Sequence, residues 1–352
     1  TYCLTPVIIR LARRWGAIDE PNHRRVHSNP TPRMGGLAIF IGFLIPQIFL
    51  YALDFVRPNM ISEMYQTLSL RVFCILAGSI LIVCLGIYDD IKGLSAKKKL
   101  IFQIIAAGIA IAGGGSPQEI NLPLIGTLSL PFWAGAGLAL FWIVGVTNAI
   151  NMIDGLDGLA AGICSISLAA VAYKSAVNVQ PLNVAISIGL LFSCLAFLRY
   201  NFHPAKVFMG DTGSMFLGFF LANFAMMSSS KSHASVTLMI PVLIVGIPVF
   251  DTLLLIVRRY LKGRPVFSPD RDHIHHLLLA KGLNQPSAVL FIYMIAITMS
   301  FLALNMSGSS SVVLWLTLLS FVLVGALYWF VDYSGWRESL QEWLRRQEIE
   351  KQ

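Results

Sequence analysis

Long apolar stretches alternate with short polar loops along almost the whole chain. A transmembrane helix needs about 20 mostly apolar residues, and ten such stretches can be placed. They are centred near Ile45, Ile80, Ala107, Leu140, Ser167, Ile188, Phe219, Ile247, Ile297 and Phe321. The N-terminal stretch 1–11 is also apolar and begins with Thr, as expected for the remnant of an eleventh helix or for a processed start. The pattern predicts an all-α polytopic membrane protein of ten to eleven transmembrane helices, with residues 1–352 forming one integral membrane domain.

Composition supports the membrane class. The chain is 56% hydrophobic and only 12% charged, whereas about 25% of residues are charged in an ordinary soluble domain. The five cysteines lie within or beside apolar stretches and form no C-x-x-C pair. They are therefore expected to pack in the membrane rather than to form disulfides or a zinc site.

The net charge of +8 is explained by the positive-inside rule, by which Lys and Arg in short loops mark the cytoplasmic side. If the N-terminal basic segment is cytoplasmic, only Arg57, Arg71, Lys174 and Lys231 fall outside between residues 10 and 351. We expect no nucleic-acid partner. The same orientation puts four polar clusters on the cytoplasmic face, and this predicts one site assembled from several loops.

The most informative cluster is the stretch N-x-x-N-x-x-D-G-L-D-G-L between two apolar segments. Its polar residues are Asn148, Asn151, Asp154 and Asp157. Ionisable groups near hydrocarbon are expensive and therefore indicate function. A spacing of three drifts by about 60° per step around a helix, so the four cannot share one helical face. The stretch predicts a helix end followed by a glycine-containing loop that lines a polar cavity.

Two further acidic clusters lie at predicted helix ends. Asp89 and Asp90 close a helix where the macrodipole disfavours carboxylates, which favours a functional interpretation. Asp211, in F-M-G-D-T-G-S, is either a metal ligand or a simple N-cap. Arg33 and Lys99 are candidates for phosphate binding, although topology alone also explains their charge. Functional and structural roles stay open for all of these residues.

The last polar loop carries the histidines. Ser268-Pro269 and Gly282 frame a predicted short helix on which His273 and His276 share one face. A zinc site is weakly supported, because there is no H-E-x-x-H and no nearby cysteine. Imidazoles at a helix N-terminus suit phosphate oxygens instead. Asp251, in the preceding apolar stretch, either pairs with a neighbour or belongs to the site.

Together, several carboxylates and basic groups suit a divalent cation that bridges a phosphorylated substrate. Hard oxygen ligands favour Mg²⁺, with Mn²⁺ as the alternative. The Asp89-Asp90 pair, N-x-x-N-x-x-D-G-L-D-G-L, F-M-G-D-T-G-S and H-I-H-H resemble the polyprenyl-phosphate N-acetylhexosamine-1-phosphate transferase superfamily, over nearly the whole chain. T-P-R-M-G-G and H-I-H-H are similar to the branch that uses UDP-N-acetylglucosamine to start O-antigen, enterobacterial common antigen or teichoic-acid linkage units. Arg33 and Ile274 argue against the muramyl-pentapeptide branch.

The resemblance implies a bacterial inner-membrane enzyme, often a homodimer, with a cytoplasmic cleft. It implies transfer of N-acetylglucosamine 1-phosphate from UDP-N-acetylglucosamine to undecaprenyl phosphate, with release of UMP. The implied catalytic residues are Asp89, Asp90, His273, His275 and His276. The implied substrate-binding residues are Asn148, Asp154, Gly155, Leu156, Asp157, Phe208, Lys99 and Arg33, with Phe208 stacking on uracil. The implied metal ligand is Asp211, with Asn151 as a second candidate.

Two mechanisms and three alternative functions stay open. The lipid phosphate either attacks the β-phosphorus directly, or an aspartyl phosphate forms first. The same chemistry on another UDP-N-acetylhexosamine is the nearest alternative. A secondary transporter would bind near the membrane midplane, whereas these clusters lie at one surface. A CDP-alcohol phosphotransferase would need a D-G-x-x-A-R arrangement, which does not follow Asp157.

Overall fold

The computed structural model describes residues 1–20, 30–56, 70–122, 126–232, 235–237, 239–261, 273–306, 315–319 and 322–323. In this part of the chain, α-helices form a bundle accompanied by two small β-sheets. The helices are α1 (Thr5–Trp15), α2 (Gly35–Val56), α3 (Leu70–Lys92), α4 (Ala96–Ala110), α5 (Phe132–Ile153), α6 (Leu159–Val177), α7 (Pro181–Asn201), α8 (Gly210–Ser229), α9 (Met239–Ile244), α10 (Gly246–Leu261), α11 (Ile274–Ala280) and α12 (Gln285–Met306). A π-helical turn, Ile111–Gly115, extends α4.

Six helices in the described ranges are long and apolar enough to cross a membrane. They are α3, α4 with its π-helical turn, α5, α6, α7 and α12. A shorter apolar helical segment, Gly35–Phe49, lies in α2. The multi-pass helical architecture predicted from the sequence is thereby confirmed. Phe321, the centre of the last predicted helix, lies outside the described residues.

The predicted helix around Ile247 is two helices. α9 ends at Ile244, and α10 begins at Gly246. Pro248 explains the break, because proline has no N–H to donate to the carbonyl of Ile244 and its ring crowds that group. The second of these helices, α10, carries Asp251.

Helix α8 is the centre of the bundle and contacts α2, α3, α5 and α6. Its side chains are almost completely buried, including those of Phe216, Phe220 and Phe224. The rings of Phe220 and Phe224 stack at 4.2 Å, and Phe43 of α2 meets Phe220 edge-on at 5.3 Å. Aromatic pairs in these arrangements add to the packing energy. The helix that begins beside Asp211 is therefore firmly held along its length.

Two β-sheets were not predicted. Strands β1 (Ile18–Asp19) and β2 (Thr31–Pro32) pair antiparallel beside α1. A second sheet contains β3 (Glu119–Leu122), β4 (Gly126–Ser129), β5 (Ser230–Ser232) and β6 (Ser235–Thr237) in the order β4-β3-β6-β5. β3 and β6 are parallel, and the other neighbours are antiparallel. The all-α expectation therefore omitted these short strands.

The helix ends that carry the predicted polar clusters meet at one end of the bundle. Lys99, at the start of α4, contacts Asp89, at the end of α3, and Asp211, at the start of α8. Asn151, near the end of α5, donates to Asp211. The four-stranded sheet follows the opposite ends of α4 and α8. The polar side chains at these helix ends therefore lie close together, as the sequence predicts.

Candidate active site

The first turn of α8 presents Asp211 and is capped by a residue from another helix. Asp90 accepts hydrogen bonds from the backbone N–H groups of Asp211 (2.9 Å) and Thr212 (3.1 Å) and from Thr212 Oγ1 (2.6 Å). A side-chain oxygen that accepts from the first N–H groups of a helix caps that helix, and here the oxygen comes from α3 rather than from the residue before α8. Gly210 has φ +71°, and a Cβ on it would lie 2.5 Å from Asp90 Oδ2. Glycine is required there by both conformation and space.

One ammonium group bridges two carboxylates at the centre of the site. Lys99 Nζ lies 2.5 Å from Asp89 Oδ2 and contacts Asp211 Oδ2. Asp89 Oδ1 accepts from the backbone N–H of Leu94 at 2.5 Å. Asn151 Nδ2 donates to Asp211 Oδ1 at 3.0 Å. The carboxylates of Asp89 and Asp211 therefore face one shared cation position.

A cavity of about 300 Å³ opens beside this position. Its walls are formed by Asp19, Arg33, Asn151, Asp154, Gly155, Leu156, Asp157, Asn201, Phe208, Gly210, Asp211, His276 and Gln285. Nine of the predicted site residues are among them: Arg33, Asn151, Asp154, Gly155, Leu156, Asp157, Phe208, Asp211 and His276. The structure thus brings together residues from the N-terminal loop, α5, α8, α11 and the connecting loops.

Arg33 enters the cavity wall from the N-terminal loop. Its backbone N–H donates to Ala17 O at 2.9 Å, and its guanidinium lies 3.5 Å from Asp19 and 3.9 Å from Asp90. The sequence does not identify Asp19 as a site residue, because the positive-inside rule already accounts for the charged residues of its segment. Its pairing with Arg33 depends on β1 and β2, which the apolar pattern does not predict.

Phe208 is fixed by the T-P-R-M-G-G loop through the backbone. Its N–H donates to Pro32 O at 2.8 Å, and its carbonyl accepts from Gly35 at 2.9 Å. Gly36 continues the pairing by donating to Met209 O at 2.8 Å. The loop that carries Arg33 and the loop that carries Phe208 therefore form one wall of the cavity.

Asp157 holds the loop before Phe208. Its Oδ2 accepts from Ala205 N–H at 3.1 Å and lies 2.9 Å from His203 Nδ1. Asn201 supports the same loop, because its Oδ1 accepts from Gly158 N–H and its Nδ2 donates to Val207 O. His203 and Asn201 were missed, since their partners follow only from the folded loop.

Asp154, the residue after α5, has a perturbed pKa. Burial, with added repulsion from Asp211 and Asp90, raises its pKa to about 7. Both protonation states are therefore populated near neutral pH. Such a group can donate or accept a hydrogen bond at the cavity wall.

Asn148 does not reach the cavity. Its amide pairs with that of Gln103, with Asn148 Nδ2 2.7 Å from Gln103 Oε1, and the return contact is 3.3 Å. Asn148 lies one helical turn before Asn151, and the two side chains point differently because a step of three residues rotates by about 300° rather than 360°. Asn148, which was predicted to bind substrate, therefore contacts another helix of the bundle instead of the cavity.

The histidines divide into three environments. His276 lines the cavity, His273 Nδ1 lies 2.8 Å from Asp251 Oδ2, and His275 is buried with 1% exposure. Burial, with added repulsion from His276 and His273, lowers the pKa of His275 to about 3. The predicted helix is confirmed only in its C-terminal part, as α11, which has seven residues and begins at Ile274. The prediction that His273 and His276 share one helical face is wrong, because His273 has an extended backbone and precedes the helix. Ser268 and Pro269 lie outside the described residues. Only His276 of the three is brought to the cavity.

Comparison with known proteins gives consistent matches. Residues 72–229 match the glycosyl transferase family 4 model. The chain is 40% identical over 333 residues to a probable undecaprenyl-phosphate N-acetylglucosaminyl 1-phosphate transferase of Bacillus subtilis, covering 94% of this chain and 88% of that protein. It is 37% identical over 321 residues to decaprenyl-phosphate N-acetylglucosaminephosphotransferase of Mycobacterium tuberculosis strain H37Rv, covering 84% and 76%.

A more distant relative matches over a similar length. The chain is 28% identical over 350 residues to an undecaprenyl-phosphate alpha-N-acetylglucosaminyl 1-phosphate transferase of Salmonella typhimurium, covering 96% of this chain and 90% of that protein. The family-model match spans Asp89, Asn151 and Asp211, the residues that meet at the cation position. This chain therefore belongs to glycosyl transferase family 4, together with the polyprenyl-phosphate N-acetylglucosamine-1-phosphate transferases.

Proposed function

We propose that this protein transfers N-acetylglucosamine 1-phosphate from UDP-N-acetylglucosamine to undecaprenyl phosphate, giving undecaprenyl-pyrophosphate-N-acetylglucosamine and UMP. The observation that carries the proposal is the meeting of Asp89, Lys99 and Asp211 at one cation position beside the cavity. Relatives whose names state this transfer match over most of the chain. Transfer between two phosphates needs charge neutralisation and positioning above all.

The donor set fits magnesium. Asp89 and Asp211 already share a cation, the ammonium of Lys99, and carboxylate and amide oxygens are the ligands that Mg²⁺ prefers. Among the described residues no group of three or more His, Cys, Asp or Glu forms a metal cluster, so substrate phosphate or water would complete the coordination, as is usual for Mg²⁺. Asp211 would hold the ion, with Asn151 and Asp89 beside it. Bound there, Mg²⁺ or Mn²⁺ would neutralise charge on the diphosphate.

The cavity walls suit a nucleoside diphosphate sugar. Phe208 lines the cavity and would stack on uracil, while Asp154, Gly155 and Leu156 would border the nucleoside. Arg33 and His276 carry donors for phosphate oxygens on the walls beside Asp211. Lys99 would point its ammonium at the diphosphate once the carboxylates hold the metal. Asp157 contributes through the loop that it holds.

In the reaction, an oxygen of the lipid phosphate attacks the β-phosphorus of the UDP-sugar. The bond from that phosphorus to the oxygen bridging the two phosphates breaks, and UMP leaves with the electron pair. A phosphate monoester has its second pKa near 6, so the nucleophile is largely dianionic at neutral pH and needs no strong base. Asp89 therefore positions the lipid phosphate or the metal. Asp90 acts by capping α8 and thereby placing Asp211.

A two-step route through an aspartyl phosphate is the second mechanism. Among functions, the nearest alternative is the same transfer from another UDP-N-acetylhexosamine, because the cavity residues would contact the same nucleotide in either case. A secondary transporter is disfavoured, since its site would lie near the midplane and this cavity lies where helices end.

We place the protein in the bacterial cytoplasmic membrane, with the cavity on the cytoplasmic face. The basic residues near the cavity end of the bundle, such as Lys97, Lys98 and Lys206, support that orientation through the positive-inside rule. A cysteine at Lys98 would be labelled only from the cytoplasm. The resemblance to family members adds a homodimer to the proposal.

Radiolabelled sugar tests the proposed function. Purified protein with Mg²⁺ and undecaprenyl phosphate is expected to move label from UDP-N-acetylglucosamine into butanol-extractable lipid. A panel of UDP-sugars decides between N-acetylglucosamine and its epimers. Label that stays in the aqueous phase with every sugar would contradict the proposal.

A further inference from the structure

Asp251 anchors the helix that carries the histidines, from a neighbouring helix. Its Oδ1 accepts from the backbone N–H of Ile274 at 2.9 Å, and its Oδ2 lies 2.8 Å from His273 Nδ1. His273 is the residue before α11, has an extended backbone conformation and makes no side-chain cap of its own. Asp251 therefore supplies the cap that α11 lacks. Both side chains are about 10% exposed, so water hardly competes for these contacts.

The position of α11 depends on such anchors. The helix has seven residues, and a helix this short is not stable without tertiary contacts. Its second anchor is His275, which is buried against the loop after α5. A Cβ on Gly155 would lie 2.6 Å from His275 Nε2. Asp251 thus fixes the N-terminus of α11, and His275 fixes its face.

His276 is the residue that these anchors deliver to the cavity. It lines the cavity together with Asp154 and Asp211, whereas Asp251 is not one of the lining residues. Because an ionised carboxylate can only accept, the contact with Asp251 favours the proton on Nδ1 of His273. The carboxylate therefore does not line the cavity itself, and its contacts lead there through α11.

We propose that Asp251 is a positioning residue for sugar-phosphate transfer, which holds the N-terminus of α11 so that His276 stays in the cavity. The inference rests on the proposed function for the reaction that is measured. The anchor itself is a property of the fold and can be measured without turnover.

Two substitutions of similar size separate the anchor from the rest of the side chain. Asp251→Leu removes both acceptors and suits an apolar helix. Asp251→Asn keeps an oxygen that accepts from Ile274 N–H. We expect Asp251→Leu to lower kcat/KM for the UDP-sugar by roughly tenfold, as for loss of a helix cap, and Asp251→Asn to stay within about threefold of wild type.

A double variant tests whether Asp251 acts through His276. If it does, Asp251→Leu added to His276→Ala lowers kcat/KM no further than His276→Ala alone. Glu119→Gln is the matched control, because it removes a carboxylate from β3 at the other end of the bundle. Its kcat/KM is expected to equal that of wild type.

Hydrogen exchange of the amides in 274–280 reports the anchor without catalysis. Exchange is expected to be faster in Asp251→Leu and close to wild type in Asp251→Asn and Glu119→Gln. If Asp251→Leu does not fold, Asp251→Ala takes its place with the same expectations.

Failure of this inference is distinct from failure of the proposed function. Wild-type protein that transfers no sugar phosphate would contradict the proposed function. Wild-type transfer with Asp251→Leu or its substitute at the same kcat/KM and the same exchange would overturn the inference. Equal losses in Asp251→Leu and Asp251→Asn, or independent losses in the double variant, would also overturn it, because the charge would then act without α11.

Discussion

Gly86→Ala on α3 should disable the site without changing any polar side chain. Gly86 lies one turn before Asp89 and Asp90, where α3 meets the start of α8. A Cβ at this position would lie 2.3 Å from Thr212 Cα, 2.6 Å from Thr212 N and 3.0 Å from Asp211 C. These are backbone atoms, so no side chain can rotate away. Small residues at such interfaces let helix backbones approach closely.

The size of the effect follows from the contact. Carbon atoms rest at about 3.5 to 4.0 Å, so α3 and the first turn of α8 must separate by more than about 1 Å. That movement stretches the hydrogen bonds from Asp211 and Thr212 to Asp90, which are 2.9, 3.1 and 2.6 Å long. Displacement of a catalytic group by about 1 Å can cost about 100-fold in rate. Overpacking also costs about 1 to 3 kcal/mol of stability.

The assay is kcat/KM for label transfer, together with the unfolding temperature in detergent. Gly108→Ala and Gly145→Ala are matched controls, because a Cβ at either helical position meets nothing within 4 Å. We expect about a 100-fold loss for Gly86→Ala and wild-type rates for both controls. Gly86→Ala with a rate within about threefold of wild type would refute the reasoning, because α8 would then tolerate the displacement.

Three further predictions concern single side chains. Asp211→Asn should abolish turnover because it removes charge from the cation position, and wild-type rates at limiting Mg²⁺ would show that Asp211 is not a ligand. Asp89→Asn should be slower than wild type, and its activity should still fall below about pH 6 as the lipid phosphate protonates. Wild-type protein should not exchange UMP into UDP-sugar without lipid. Such exchange, lost in the variant, would favour the aspartyl-phosphate route. Burial holds the pKa of His275 in the folded state at about 3. Below the unfolded-state pKa of about 6.5 the unfolded state therefore binds an extra proton, and the free energy of unfolding decreases as the pH is lowered. Wild type should lose about 2 kcal/mol more than His275→Asn between pH 7 and pH 5 in chemical unfolding, and parallel pH profiles would show that His275 is not held neutral.

The apolar pattern predicts the helices because each must be long and apolar enough to cross the membrane. It also indicates which helix ends meet, since alternating spans bring Asp89, Asn151 and Asp211 to one side. The apolar pattern does not predict strands β3 and β6. They are short and pair between segments over 100 residues apart in sequence, as in Ile120 opposite Val236.

The roles of individual acids were less predictable because they depend on partners in other helices. The sequence motifs imply a catalytic role for Asp90 and a metal-binding role for Asp211. In the structure Asp90 caps α8, whereas Asp211 faces the cation position. Asn148 was grouped with Asn151 by motif, although helix geometry turns it toward Gln103. Asp251 could be assigned only when α11 was seen to begin at its carboxylate.

The central claim is that a sugar phosphate, and not a sugar alone, is transferred. UDP-N-acetylglucosamine labelled with ³²P at either the α or the β phosphate tests it most directly. The account predicts that the β label enters the lipid together with the sugar and that the α label is recovered in UMP. Recovery of both labels in UDP, or a lipid that carries the sugar without the β label, would contradict it.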